Sequence, residues 1–143
     1  MYSVLVVDDE LEQRRAVIDR VQWEKAGFTV VGDAENGIEA LDLLEQLKPD
    51  LILTDIKMPL MTGLELAEQV RALRPVTKFV ILSGYDTFEY AREALKYNVV
   101  RYLLKPISAA EMTEELGKVK AQMDAEFAQL KAGLSEENTK MRL

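Results

Sequence analysis

The chain has 143 residues, the length of one ordinary domain, and 48% of them are hydrophobic, which is enough to fill a single core. Its 25 acidic and 18 basic residues give a formal charge of -7, which argues against a polyanion-binding face. The absence of Cys and His excludes disulfides, thiolate nucleophiles, zinc ribbons, imidazole catalysis and histidine phosphocarriers. Any chemistry must therefore use carboxylates, lysines, hydroxyls and the backbone.

Nothing in the sequence predicts a membrane segment or an export signal. No apolar run approaches the roughly 20 residues that cross a bilayer. No basic leader or small-residue cleavage site flanks the first apolar stretch. We therefore expect a cytoplasmic protein without a membrane partner.

Short apolar runs predict five strands, at residues 4–7, 28–31, 51–53, 79–82 and 99–104. Most of these runs are continuous rather than alternating, which is typical of parallel strands buried on both faces. Segments of helical period separate them, so strand and helix alternate along the chain. The expected fold class is α/β: a flavodoxin-like, doubly wound, five-stranded parallel sheet of order 2-1-3-4-5, with five helices and an extended C-terminal helix.

Apolar residues at helical spacing predict one face for each of the first four helices. These residues are Leu11, Ile18 and Val21; Ile38, Leu41, Leu44 and Leu47; Leu64, Ala67, Val70 and Leu73; and Phe88, Ala91 and Leu95. Pro49 and Pro75 predict the ends of the second and third helices. Asp9 and Glu12 have the spacing of an N-terminal capping pair for the first helix.

The last segment keeps helical period over about six turns, through Met112, Leu116, Val119, Met123, Phe127, Leu130 and Leu134. We expect a domain over residues 1–120 and a helical extension over residues 121–143. The extension is longer than a helix packed on the sheet requires. It is either an exposed tail or a linker helix that pairs with a second copy as a short coiled coil.

Polar residues follow four of the predicted strands at their carboxyl ends: Asp8 and Asp9, Asp55, Ser83, and Lys105. Each one alone is typical of a loop, cap or turn, but their joint placement favours a site. In an open parallel sheet, ligands bind at this edge where the strand order reverses. With the order 2-1-3-4-5, Asp8, Asp9 and Asp55 share one pocket.

This set of side chains predicts phosphoryl chemistry. Two carboxylates about 4 Å apart repel by roughly 4 kcal/mol at an effective dielectric near 20, so a cation must offset them. Oxygen ligands without Cys or His favour Mg²⁺. A carboxylate nucleophile would form an acyl phosphate, stabilised by the metal and by Lys105, and the Ser83 hydroxyl could donate to a phosphoryl oxygen.

Four stretches carry a resemblance to a known family: Val-Val-Asp-Asp-Glu at 6–10, Asp-Ile-Lys-Met-Pro at 55–59 followed by Gly63, Leu-Ser-Gly-Tyr at 82–85, and Tyr-Leu-Leu-Lys-Pro at 102–106. Over about residues 2–120 the sequence resembles the receiver domain of two-component response regulators. Residues 23–28 and 83–90 are similar to receivers that precede AraC-type DNA-binding domains.

The resemblance implies that Asp55 accepts a phosphoryl group from a sensor histidine kinase. It implies Mg²⁺ bound directly by Asp9, Asp55 and the backbone carbonyl of Lys57, with Asp8 acting mainly through water. Lys105 would bridge to the phosphoryl group. The domain would catalyse only its own phosphorylation and dephosphorylation.

The resemblance also makes Ser83 the switch hydroxyl and Tyr102 the switch aromatic. Phosphorylation adds negative charge and acceptor oxygens, which would draw Ser83 inward and let Tyr102 rotate. The surface of the fourth helix, fifth strand and fifth helix would then change as a population shift. Tyr102 is expected to be a core aromatic with an edge near the surface, and Lys57 and Tyr85 to flank the pocket.

The sequence departs from the family at two positions without losing a site residue. Thr62 stands where the family often has Asp, and Thr still caps a helix. Asn98 stands where Gly is usual, and Asn tolerates a left-handed conformation. The resemblance further implies a cis bond before Pro106.

Two alternative functions stay open, and the sequence disfavours a third. A nucleotide-binding enzyme would need glycine fingerprints that the chain lacks. A haloacid-dehalogenase-type phosphatase would need Asp-x-Asp after its first strand, where residues 8–10 read Asp-Asp-Glu. A receiver-fold interaction module would work without phosphorylation.

If the chain is a receiver, we expect a homodimer through the fifth helix and its extension. We expect DNA contact only through a C-terminal domain missing from this chain.

Overall fold

The computed structural model describes residues 1–84 and 88–141, and the side chains of residues 1–84 and 89–133. Within this part of the chain the strands are β1 (Tyr2–Val7), β2 (Phe28–Ala34), β3 (Leu51–Thr54), β4 (Lys78–Ser83) and β5 (Val99–Leu104). They form one parallel sheet of order β2-β1-β3-β4-β5. The predicted sheet and its order are confirmed.

The helices within the described residues are α1 (Leu11–Arg20), α2 (Trp23–Ala26), α3 (Gly37–Leu47), α4 (Gly63–Leu73), α5 (Phe88–Ala94) and α6 (Ala109–Met141). The short α2 lies between the first predicted helix and the second predicted strand, where no separate helix was predicted. Gly27 closes α2 in a left-handed conformation with φ 97°, and its amide donates to the carbonyls of Trp23 and Glu24. A single turn is too short to show helical periodicity.

Both faces of the sheet are covered, as continuous apolar strands require. Along β1, Val4 and Val6 pack on the face that α1, α2 and α6 cover, while Leu5 and Val7 pack beneath α3 and α4. All four of these side chains are at most 2% exposed. The carboxyl ends of the strands therefore extend from a core that is packed on both sides.

Four residues assigned to apolar helix faces lie outside the core. Leu11, Ile38, Leu73 and Leu95 are 49%, 46%, 68% and 80% exposed. Each lies in the first or last turn of its helix or just beyond it. The predicted Leu44, Ala67 and Val70 are buried on the inner faces of α3 and α4, together with Ala40 and Leu66, which were not predicted. Phe88 was also predicted to lie on an apolar helix face, but its side chain is not among those that the structure describes.

The helix ends agree with the sequence except at α1. α3 and α4 end before the predicted prolines, and Thr62 caps α4 through a reciprocal pair with Glu65. The predicted cap of α1 by Asp9 and Glu12 was wrong, because the N-cap residue Glu10 makes no side-chain cap bond. Asp8 Oδ1 accepts the Glu10 amide, 2.9 Å away.

α6 uses most of its apolar stripe within its own domain. Met112, Leu116, Val119 and Met123 are buried in the core that includes β1. Farther along the stripe Phe127 and Leu130 are 53% and 64% exposed, and the side chain of Leu134 is not described. No helix in the described part of the chain has both the length and the apolarity needed to cross a bilayer.

Candidate functional site

The acidic residues predicted to converge do so at the carboxyl ends of β1 and β3. Asp8, Asp9 and Asp55 each offer a carboxylate oxygen within 4.8 Å of the others. Main-chain hydrogen bonds beyond the strand ends hold them there: the Asp8 amide donates to Ala34 and the Asp55 amide to Val7, at 3.1 Å and 3.2 Å. The parallel register thus fixes three like charges in one pocket.

Asp8 is the buried member of this cluster, with 5% exposure, while Asp9 is exposed. Burial raises the pKa of Asp8, and the charges of Asp55 and Asp9 add to this increase. The Glu10 amide and Lys105 act in the opposite direction on this pKa without reversing it. Ionised Asp8 is therefore under-compensated by the protein alone, and a cation in the pocket would stabilise it.

Lys105 lies across the pocket from the acidic cluster. Its amide donates to the Ser83 carbonyl at 2.8 Å, which extends the β4–β5 pairing by one residue. Its Nζ is 3.3 Å from Asp55 Oδ2 and 2.7 Å from Gln13 Oε1. Asp55 Oδ1 accepts the Ile56 amide at 2.7 Å. Gln13, a residue that sequence reasoning missed, thus helps hold the lysine over Asp55.

The predicted switch residues lie on neighbouring strands. Ser83 is fully buried at the end of β4, and Tyr102 is half-buried on β5. Ser83 pairs with Leu104, two residues beyond Tyr102, so both side chains face the same side of the sheet. Lys57 is exposed in the loop after Asp55, whereas Tyr85 lies outside the described residues.

Two backbone features expected from the sequence are present, one beside the site and one at the start of β5. The peptide bond between Lys105 and Pro106 is cis, and Asn98 is left-handed with φ 61°. Gly63 adds a third constraint, because its amide donates to the Ile56 carbonyl at 2.7 Å. A Cβ at Gly63 would lie 2.2 Å from the Asp55 carbonyl oxygen. Only glycine therefore lets α4 begin directly against the loop that carries Asp55.

Sequence reasoning also missed Arg14, which is 8% exposed on the inner side of α1. Its Nε donates to Asp33 Oδ2 and its Nη1 to the backbone carbonyl of Asp8, both at 2.6 Å. A signal for it was present, since Arg14 occupies the helical position between Leu11 and Ile18 on the expected apolar face.

Comparison with known proteins decides the family. The family model for the response regulator receiver domain matches residues 4–117. This chain is a response regulator receiver domain. Receiver domains are signalling modules rather than classical enzymes, and the match favours this family over a haloacid-dehalogenase-type phosphatase.

The relatives of this receiver domain are transcriptional regulatory proteins. An uncharacterized transcriptional regulatory protein of Bacillus subtilis, YesN, is 40% identical over 123 residues, which cover 86% of this chain and 33% of that protein. HptR of Staphylococcus aureus is 35% identical over 119 residues, which cover 83% and 46% of the two chains. The receiver domain therefore spans less than half of the length of these curated relatives.

Solved receiver structures agree with the fold. The REC domain of AraT, a response regulator from Geobacillus stearothermophilus, is 36% identical with a TM-score of 0.79, covering 87% of this chain and 97% of that one. A two component transcriptional regulator AraC from Clostridium phytofermentans is 32% identical with a TM-score of 0.77, covering 86% and 95%. The predicted likeness to AraC-type receivers is confirmed.

The residues of this receiver domain fit a hard divalent cation. The donors at the acidic cluster are all carboxylate oxygens, which suit Mg²⁺ better than softer metals. They come from the ends of two paired strands, so their spacing does not depend on a flexible loop alone. The raised pKa of buried Asp8 is the feature that a bound cation would compensate.

Proposed function

We propose that this receiver domain accepts a phosphoryl group on Asp55 from a sensor histidine kinase, with Mg²⁺ bound at Asp8, Asp9 and Asp55. The observation that carries the proposal is the meeting of three carboxylates with one lysine: ligand oxygens within 4.8 Å of one another, and Lys105 Nζ 3.3 Å from Asp55 Oδ2. Formation of an acyl phosphate needs a nucleophile and a positive charge in the same pocket, and these residues supply both.

In the proposed reaction, a carboxylate oxygen of Asp55 attacks phosphorus. The new O–P bond forms as the bond from phosphorus to the donor's imidazole nitrogen breaks, and the electron pair leaves with that nitrogen. Lys105 donates to a phosphoryl oxygen, and the Ser83 hydroxyl donates to another. Bound Mg²⁺ would neutralise charge on the transferring group. Asp9, Asp55 and the Lys57 backbone carbonyl would hold it directly, and Asp8 would act mainly through water.

The switch follows from the charge at Asp55, because phosphorylation raises it from one negative charge to about two. Ser83 moves toward the phosphoryl oxygens, and Tyr102 turns into the space that this movement opens. The outcome is a change in the surface that α5, β5 and α6 present. A phosphoryl group that favours this state by a few kcal/mol is sufficient for a population shift.

We assign the output of the switch to transcription, through a separate C-terminal DNA-binding domain. We expect the whole protein to act in the cytoplasm. Support comes from the relatives named as transcriptional regulatory proteins.

We assign residues 1–120 to the receiver domain and residues 121–143 to a helical extension. We propose that two copies of the chain form a homodimer through α6 and this extension. Phe127 and Leu130 are the exposed apolar side chains of the described stripe. Sedimentation that detects only monomer, with and without beryllofluoride, would contradict the dimer.

The proposal is tested by incubating the protein with acetyl phosphate and Mg²⁺ and measuring intact mass. We expect the addition of one phosphoryl group, no addition after chelation of Mg²⁺, and none in Asp55→Asn. Asp42→Asn is the matched control, because Asp42 is an exposed carboxylate on α3. Labelling of Asp55→Asn equal to that of the control would overturn the assignment. Absence of label in the wild type would favour an interaction module that works without phosphorylation.

A further inference from the structure

We infer that Arg14 is a positioning residue for the acidic loop, holding Asp8 and Asp9 where they meet Asp55. This inference rests on the proposed function. Arg14 is a buried cation in a helix whose other inward residues are apolar, and it contacts two different elements. Its guanidinium joins the carboxylate of Asp33 at the end of β2 to the main chain of Asp8 at the end of β1.

Hydrogen bonds hold the main chain of Asp8 at both its amide and its carbonyl. The Asp8 amide donates to Ala34 at 3.1 Å, and the Asp8 carbonyl accepts from Arg14 Nη1 at 2.6 Å. Arg14 in turn is tied to the same loop, because its own amide donates to the Glu10 carbonyl at 3.0 Å. Rotation of the Asp8 main chain, which would turn its carboxylate away from Asp55, breaks the bond to Arg14.

A guanidinium suits this role and an ammonium does not. Nε and Nη1 of Arg14 point at separate acceptors from a rigid planar fork. A lysine presents its donors from one nitrogen, so it cannot reproduce both bonds in the same positions. Asp33 also balances the charge of Arg14, which otherwise would be a buried, unpaired cation.

A plain brace between α1 and β2 is the competing role for Arg14. A brace affects the stability of the fold and leaves the affinity of the site for Mg²⁺ unchanged. A positioning residue affects the Mg²⁺ concentration that the site requires, even when the protein is fully folded. The two roles are therefore separated by titrating Mg²⁺ in the acetyl phosphate reaction at a temperature where each variant is folded.

The first comparison is Arg14→Lys against Arg15→Lys, the same substitution at an exposed neighbour on α1. We expect the half-saturating Mg²⁺ concentration to rise about tenfold in Arg14→Lys, the lower end of the range for residues that orient metal ligands. The labelling rate at saturating Mg²⁺ should stay close to that of the wild type, and Arg15→Lys should match the wild type throughout. An unchanged half-saturating concentration in Arg14→Lys overturns the inference.

The second comparison, Asp33→Asn against Asp33→Ala, does not depend on Arg14→Lys folding. The side chain of Asp33 is 45% exposed, so neither change leaves a buried cavity. Both remove the same charge, but Asn keeps an oxygen that can accept from Arg14 Nε. We expect Asp33→Ala to need several-fold more Mg²⁺ than Asp33→Asn, and equal requirements would overturn the inference. A wild type that takes no label refutes the proposed function, whereas normal labelling with no response to these changes refutes only the role of Arg14.

Discussion

The two ends of the sheet handle charge in opposite ways. At the carboxyl end, three carboxylates meet one lysine, and the buried Asp8 has a raised pKa. At the amino end, the starts of β1 and β4 meet α6 through matched contacts: a tyrosine with an aspartate, a lysine with a glutamate, and two stacked rings. The first end gathers more negative than positive side chains, while the second pairs its charged and aromatic side chains within the chain itself.

The amino-end contacts form what we term the α6 clasp, which consists of Tyr2, Lys78, Asp124, Glu126 and Phe127. The Tyr2 hydroxyl donates to Asp124 Oδ1 at 2.6 Å, and its ring stacks on Phe127 with centroids 6.1 Å apart at 21°. Lys78 Nζ is 3.0 Å from Glu126 Oε2. The clasp holds α6 to the body beyond the last buried residue of its stripe, Met123.

One helix joins the two ends, since α6 begins at Ala109, shortly after Lys105, and continues past the clasp. The two ends should nevertheless respond separately: changes at the acidic cluster should alter the response to Mg²⁺, and changes at the clasp should alter only how firmly α6 is held. The predictions below test this separation.

The largest expected effect is at Gly63. Gly63→Ala should lower the free energy of unfolding by about 3 kcal/mol, because the new Cβ would lie 2.2 Å from the Asp55 carbonyl oxygen. Gly117→Ala in α6 is the control, since no atom lies within 4 Å of a Cβ there and the change should stabilise by roughly 0.5–1 kcal/mol. Urea denaturation measures both. Equal effects at the two glycines would show that the loop below Asp55 can relax.

The next effect is the response to Mg²⁺. At a hundredfold excess over its Kd, Mg²⁺ should stabilise the wild type by about 2.7 kcal/mol, and Asp8→Asn should lose most of this gain. Without divalent cations Asp8→Asn should melt higher than the wild type at neutral pH. A raised pKa in the folded state means that protonated Asp8 favours folding, and this contribution is lost as pH rises through that pKa. Thermal melts in chelator and in Mg²⁺ test both signs.

A lower melting temperature for Asp8→Asn in chelator would mean that burial does not destabilise the ionised form. An intact Mg²⁺ response in this variant would remove Asp8 from the cation site. The clasp variants described below serve as controls, because they should keep the full Mg²⁺ response.

The acidic cluster was predictable from the sequence because two regularities coincide there. Continuous apolar runs locate parallel strands, and the residues that follow such strands share one edge. Asp8, Asp9 and Asp55 share one pocket once the order 2-1-3-4-5 places the first and third strands side by side, and the structure confirms that order. The cis bond before Pro106 and the left-handed Asn98 came from comparison with the family, and the structure has both.

The features that were missed depend on three-dimensional context. Helical periodicity gives the face of a helix but not which residues at its ends are buried, so Leu73 and Leu95 were misassigned. A charge on an apolar face, such as Arg14, is informative only when its acceptors on other elements are known. The contact between Tyr2 and Asp124 spans 122 positions of sequence, and no local pattern encodes it.

A smaller effect is expected from the clasp. Phe127→Ala should loosen α6 by about 1 kcal/mol, the contribution of a stacked aromatic pair. Hydrogen exchange at residues 121–130 should accelerate, while the midpoint of Mg²⁺ binding stays unchanged. Gln129→Ala, an exposed neighbour on α6, is the control and should leave exchange as in the wild type. A change in Mg²⁺ affinity in Phe127→Ala would show that the two ends of the sheet are coupled through α6.

The smallest effect is the loss of the stability that Tyr2 gives the clasp at alkaline pH. Burial, together with the hydrogen bond to Asp124 and the charges of Asp124 and Asp50, raises the pKa of Tyr2 from 10.0 to about 12. The neutral phenol therefore favours the folded clasp, so its contribution is complete below pH 10 and is lost as pH rises from about 10 to about 12. The difference in tyrosinate absorbance between wild type and Tyr2→Phe should titrate near pH 12, and the stability difference between them should shrink over the same interval. Ionisation of Tyr2 at its ordinary pKa would mean that Asp124 does not accept its hydroxyl in solution, and that ring stacking and the Lys78–Glu126 pair alone hold α6 at this end.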